Sequence, residues 1–249
     1  MEAIQTTGTH KMRAMIDVPV GISEPLPIVL MAHGIGERSD TVLNYVTKYG
    51  PLKQIEDGVE LPFKFIAVAP QLPKYINQVE QKRWNPAMIW EVIQHMRDHY
   101  AVDSNRIYVT GVSLGGGGIW SLIGDPTFVK QIAAAVIICG GFGPEGKEMN
   151  IINAGIPIWC AHAHNDPTVP YNTTANAVWK INTGAGREQA RFSRQGLFGH
   201  AIWNKIFDPD HGVYDWLKYQ RLDQRVGEAK FNDAIKILDD AIVKLEALR

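Results

Sequence analysis

Short, nearly continuous apolar runs alternate with helical patterns along this chain. PIVLMAH, FKFIAVAP, RIYVTG, AAVIICG and IPIWCAH are each apolar almost throughout. Strands of a parallel sheet read this way, because helices cover both of their faces. KMRAMIDVPV reads as a further strand near the N-terminus, and EQARFSR, with polar and apolar residues alternating, as a last edge strand. NPAMIWEVIQHMRDHY has helical spacing, with Asn85 as cap and Pro86 at the first helical position. Another helix is expected to begin near Asp40. The sum is an α/β fold, a mostly parallel, doubly wound sheet flanked by helices. In such sheets chemistry sits at the carboxyl ends of the strands, where His33-Gly34, Ser113 and Asp166 all fall.

At 249 residues, with no Pro- or Ser-rich linker and no internal repeat, the chain is expected to be a single domain with its core at about 12–220. In the segment 228–248, Phe231, Ile235, Leu238, Ile242 and Leu245 recur at four-three spacing. That apolar stripe predicts a last helix docked on the domain; a homodimer contact is the other use for it. The 25 basic and 26 acidic residues nearly cancel, so nothing points to nucleic acid or an anionic membrane as partner. No run reaches the roughly 20 apolar residues of a membrane span, and the N-terminus lacks a signal-peptide core, which favours the cytoplasm. Cys139 and Cys160 are the only cysteines; both sit in apolar runs and read as small core thiols, not as a disulfide framework or zinc ligands.

The chemistry begins at Gly111-Val112-Ser113-Leu114-Gly115, which fits G-x-S-x-G directly after a strand and runs on into Gly116, Gly117 and Gly118. A glycine in a helix interior costs about 1 kcal/mol against alanine. A tight strand-to-helix turn lifting the Ser113 hydroxyl above the sheet would account for that cost. A serine nucleophile needs a histidine base oriented by a carboxylate, and in one recurrent chain order the acid follows the serine and the base comes last. His200 lies in a glycine-flanked loop after the last strand; Asp166 lies on the loop leaving IPIWCAH, directly before Pro167 in a turn that closes at Pro170. Asp125, Asp208 and Asp210 fit that order or those positions less well. Backbone N–H groups of Leu114 and Ile35 are the expected oxyanion donors. His162 and His164, at i and i+2 beside Asp166, also allow a zinc reading, but it leaves Ser113 and its glycines unexplained. Strand-end histidines holding loop carbonyls are preferred, with no metal and no cofactor expected.

PIVLMAHGIGERSD, APQLP, RIYVTGVSLGGGGIW, IICGG, IPIWCAHAHNDPTVP and GHAIWNKIFDPDHGVYDWL occur in an order that resembles the α/β-hydrolases, specifically serine esterases of the dienelactone-hydrolase-like and "predicted peptidase" bacterial group. The resemblance covers roughly residues 12 to 220. It implies Ser113 as nucleophile, Asp166 as orienting acid and His200 as base. The family often carries a larger residue where this chain has Gly117, which would widen the pocket floor, and Ala163 replaces its usual glycine. Dienelactone hydrolases proper use cysteine, so that activity does not follow from Ser113. The segment CGGFGPEGKEMNIINAGIP is about 19 residues, too short for a large cap domain, and Trp84 is a candidate pocket aromatic, with a core or surface-packing role equally open to it. The expected reaction is hydrolysis of short-chain acyl esters or of ester decorations on a carbohydrate. Peptidase, amidase or lactone hydrolase chemistry on the same residues is the alternative, and a non-catalytic binding module or a metal-dependent hydrolase ranks behind it.

Overall fold

The computed structural model describes residues 1–141 and 143–225. The chain opens with β1 (Glu2–Gln5), β2 (Arg13–Asp17) and β3 (Leu26–Ala32), followed by α1 (Gly50–Glu56), β4 (Ile66–Gln71) and a small hairpin of β5 (Tyr75–Ile76) and β6 (Val79–Glu80). Then come α2 (Pro86–His99), β7 (Val102–Val112), α3 (Leu114–Ile123), β8 (Ala134–Ile138), α4 (Glu148–Ala154), β9 (Ile158–Ala163), α5 (Tyr171–Ala185) and β10 (Ala190–Gln195). Two short helices, α6 (Trp203–Ile206) and α7 (Val213–Lys218), end the described part. The main sheet has 8 strands in the order β1-β2-β4-β3-β7-β8-β9-β10. From β4 to β10 every neighbouring pair is parallel; β1 and β2 add an antiparallel edge. This is the α/β-hydrolase fold, without a large cap among the described residues.

Alternate residues of the buried strands feed two apolar layers. Ile28, Leu30, Val109 and Ile137 pack beneath α2 and α3 with Met88, Val92, Ile119 and Leu122. Val29, Met31, Tyr108 and Val136 pack on the opposite face with Leu52, Ile206 and Leu217. Each strand thus buries both sides, which is why its sequence is apolar throughout. The α2 cap is as expected: the Asn85 side chain accepts from the Ala87 N–H at 2.9 Å, with Pro86 next. The helix expected near Asp40 starts later. Residues Leu43–Thr47 form only a 3-10 turn, and α1 restarts at Gly50 (φ 76°) with Pro51 in its first turn. Pro51 cannot continue a helix arriving from before it, since its ring would meet the preceding turn.

Register aligns the strand ends. Ala32 of β3 pairs with Gly111 of β7, Val112 with Ile138 of β8, Ile138 with Ala161 of β9, and Ala163 with Gln195 of β10. The loops that follow these strands therefore leave the sheet side by side. No described helix is long and apolar enough to cross a membrane. The segment 228–248, expected as a last helix or a dimer contact, lies outside the described residues.

Candidate active site

Ser113 stands alone between the last residue of β7 and the first of α3, with φ 52° and ψ −117°. A non-glycine residue there is strained and persists only when its surroundings hold it. Backbone bonds do so: the Ser113 N–H donates to the Ile138 carbonyl at 2.9 Å. The Ser113 carbonyl in turn accepts from Gly117 N–H at 3.1 Å and Gly141 N–H at 2.7 Å. The glycines allow the close approach of strand and helix. A Cβ on Gly111 would lie 2.4 Å from the Gly115 carbonyl oxygen, and one on Gly115 would lie 2.0 Å from that of Ala32. Gly118 leaves room for the Trp84 side chain in the same way.

His200 follows β10 in a loop held by Gly199, whose N–H donates to Asn165 Oδ1 at 2.9 Å. Its Nε2 lies 2.9 Å from Ser113 Oγ and its Nδ1 2.7 Å from Asp166 Oδ2. The three residues singled out from the sequence thus meet in a hydrogen-bonded line. Asp166 sits on the loop after β9, where its other oxygen accepts from the N–H groups of Thr168 at 2.8 Å and Val169 at 2.9 Å. Burial pushes the Asp166 carboxyl up, but the hydrogen bonds from His200, Val169 and Thr168 outweigh it and leave the group below its ordinary value. The acid is therefore ionised at neutral pH and able to hold the Nδ1–H tautomer of His200.

Leu114 is the first residue of α3, where a backbone N–H has no acceptor within its own helix and the helix dipole adds positive character. Ile35 opens a 3-10 turn directly after β3 and is 56% exposed. The preceding Gly34 packs on the serine, since a Cβ there would lie 3.7 Å from Ser113 Cβ. Its N–H donates to Tyr49 Oη at 3.1 Å, and that hydroxyl donates to Glu37 Oε2 at 2.7 Å. His33 ties the same loop to the residue that follows β4: Nδ1–H donates to the Gly34 carbonyl at 2.6 Å, and Nε2 accepts from the Leu72 N–H at 2.9 Å. Leu197 and Phe198, just ahead of His200 in the chain, are 79% and 56% exposed.

Other residues take different places from those expected. Trp84 is 2% exposed and supports the loop from beneath, its Nε1–H donating to the His33 carbonyl at 3.2 Å. It is a packing residue, not a pocket wall, because Gly118 opens a slot that admits the indole. Gly117 is also buried, within α3. His211 is partly buried against Trp159. The two strand-end histidines part company: His164 is exposed beside Tyr171, whereas His162 is fully buried, with Nδ1 2.7 Å from Thr174 Oγ1 and Nε2 3.0 Å from the Val169 carbonyl. The loop-holding role thus belongs to His162. Both cysteines are buried and free, but Cys139 is more than a core thiol. It has φ 40°, follows β8, and its Sγ lies 3.4 Å from the His200 carbonyl oxygen. Only its apolar neighbours were visible in the sequence, and these cannot show which way a residue turns at a strand end.

No family model matches the chain. A curated protein of Aspergillus flavus named "Probable feruloyl esterase C" is 28% identical over 117 residues, which are 46% of this chain and 41% of that protein. The chain thus spans less than half the length of this relative. Among solved structures, a thermostable esterase aligns with TM-score 0.69 and 25% identity, over 88% of this chain and 63% of that one. A thermophilic esterase of the planctomycete Thermogutta terrifontis, solved with propionate, aligns with TM-score 0.63 and 16% identity over 87% and 92%.

Proposed function

We propose that the chain is a serine ester hydrolase working through an acyl-enzyme, with Ser113 as nucleophile, His200 as base and Asp166 as orienting acid. The observation that carries this reading is the His200 imidazole, 2.9 Å from Ser113 Oγ on one side and 2.7 Å from Asp166 Oδ2 on the other. His200 takes the Ser113 proton as the oxygen attacks the ester carbonyl. The N–H groups of Leu114 and Ile35 receive the developing oxyanion. His200 then protonates the departing alcohol, and water repeats the cycle on the acyl-enzyme. Asp166 keeps the imidazole in the productive tautomer and stabilises the imidazolium as it forms. Similarity to proteins named as esterases supports the choice of ester over amide.

The substrate is a short acyl ester or an ester decoration on a carbohydrate. The exposed Ile35, Leu197 and Phe198 offer apolar surface near the reacting groups in the chain, and the name of the Aspergillus flavus relative makes a feruloyl ester the first aromatic case to try. The test is hydrolysis of p-nitrophenyl acetate, butyrate and octanoate and of methyl ferulate by wild type and Ser113→Ala, with and without EDTA. Turnover is expected to be EDTA-insensitive, and Ser113→Ala to lose on the order of 10⁴-fold or more. Equal rates for the two proteins would refute the reading, and loss of activity in EDTA would replace it with a metal-dependent one.

A further inference from the structure

Asp166 Oδ2 has a second imidazole beside it. His162 Nε2 lies 3.1 Å from that oxygen, with both side chains wholly buried. The tautomer of His162 follows from its other contacts. The Val169 carbonyl, 3.0 Å from Nε2, can only accept, so Nε2 carries the proton. In a neutral ring Nδ1 is then bare and must accept from the Thr174 hydroxyl at 2.7 Å. Burial lowers the His162 pKa, against the raising pull of the Val169 carbonyl and Asp166, so the ring is neutral. Its Nε2–H donates to the Val169 carbonyl, and the same nitrogen lies 3.1 Å from Asp166 Oδ2.

We propose that His162 is a positioning residue for the reaction: its Nε2–H fixes Asp166 Oδ2 in line with His200, completing the donor set on the carboxylate. This rests on the ester-hydrolase reading above. Thr168 and Val169 N–H groups hold Oδ1, and His200 and His162 meet on Oδ2. A carboxylate with one oxygen held by two backbone donors can still rotate out of plane about its Cβ–Cγ bond. The buried donor from β9 blocks that rotation, and α5 fixes the donor through Thr174.

His162→Gln and His162→Met test this as a pair. The side chains are of similar length, and only glutamine can return an N–H near the Nε2 position. His162→Met is expected to lower kcat for p-nitrophenyl acetate by roughly tenfold or more with KM unchanged, and His162→Gln to recover most of that loss. The downfield Nδ1–H resonance of His200 should move or broaden in the methionine protein and return in the glutamine protein. A folded methionine protein with wild-type kcat and an unmoved resonance would overturn the proposal, as would equal losses in the two variants. If His162→Met does not fold, the ¹⁵N shifts of wild-type His162 decide: Nε2–H with bare Nδ1 is expected, and the opposite tautomer or a doubly protonated ring overturns it. Failure of the underlying reading is distinct, since an inactive wild type would leave the resonance and the tautomer measurable.

Discussion

Replacing Gly115 with alanine puts a single methyl group where helix and sheet meet. The added Cβ would lie 2.0 Å from the Ala32 oxygen, 2.5 Å from the Ala32 carbonyl carbon and 2.7 Å from the His33 oxygen. All three are backbone atoms and cannot swing aside as a flexible side chain would. Ordinary carbon contacts begin at about 3.4 Å, so the start of α3 or the end of β3 must withdraw by more than about 1 Å. Overpacking among core side chains costs about 1–3 kcal/mol. Here the backbone itself must shift, and the result should lie at or above the top of that range. The better helix propensity of alanine returns up to about 1 kcal/mol. A net loss of about 3 kcal/mol lowers Tm by roughly 6–12 °C in a chain of this size. Urea unfolding followed by circular dichroism measures it, with Gly36→Ala as the companion. That position has nothing within 4 Å and no positive φ, so its stability should change by less than about 1 kcal/mol, towards stabilisation. A Gly115→Ala midpoint within error of wild type would refute the account of the turn.

Three further outcomes are expected. Burial lowers the His33 pKa to about 4, opposed by its bond to the Gly34 carbonyl; the unfolded chain then binds the extra proton between about pH 6.5 and 4, so stability is full above that window and falls by up to about 3 kcal/mol as pH drops through it. Urea midpoints at pH 7 and 4.5 read this loss, and a slope unchanged in His33→Gln would refute it. Trp84→Phe removes the bond to the His33 carbonyl and should cost about 1–2 kcal/mol with KM unaltered; a changed KM at wild-type stability would return Trp84 to the pocket. Burial pushes the Cys139 thiol up to about 12 and raises Cys160 as well, so Ellman's reagent should find neither thiol in the native protein and both in guanidinium, and rapid native labelling would contradict this.

The sheet was legible because its strands bury both faces, which leaves an apolar signature that needs no knowledge of their neighbours. The edge was less so. β1 reads EAIQ, is mostly exposed and carries no apolar run, and the antiparallel direction of β2 is set by pairing that single residues do not encode. Ser113, Asp166 and His200 could be picked out as neighbours because each sits in a turn at a strand end, in the chain order that the α/β-hydrolase resemblance implies. That His162 and not His164 lies against Asp166 could not, since a pair spanning a strand end and a loop has no fixed separation. The choice between pocket and packing for Trp84 was hidden for a similar reason: its slot depends on Gly118, which is far off in the chain and next to it only in the fold.

Ser113 and Cys139 are two non-glycine residues with positive φ at the ends of neighbouring strands, each costing on the order of 1–3 kcal/mol. Glycine at both places would give a more relaxed backbone and, by that measure, a sturdier molecule. The chain instead keeps a hydroxyl and a thiol there, so uncomfortable backbone coincides with two side chains that touch His200, Ser113 at Nε2 and Cys139 at the carbonyl oxygen. Selection for heat resistance alone would tend to erase this pair first, and any stabilised descendant that still turns over substrate should be one whose gains lie elsewhere in the sheet.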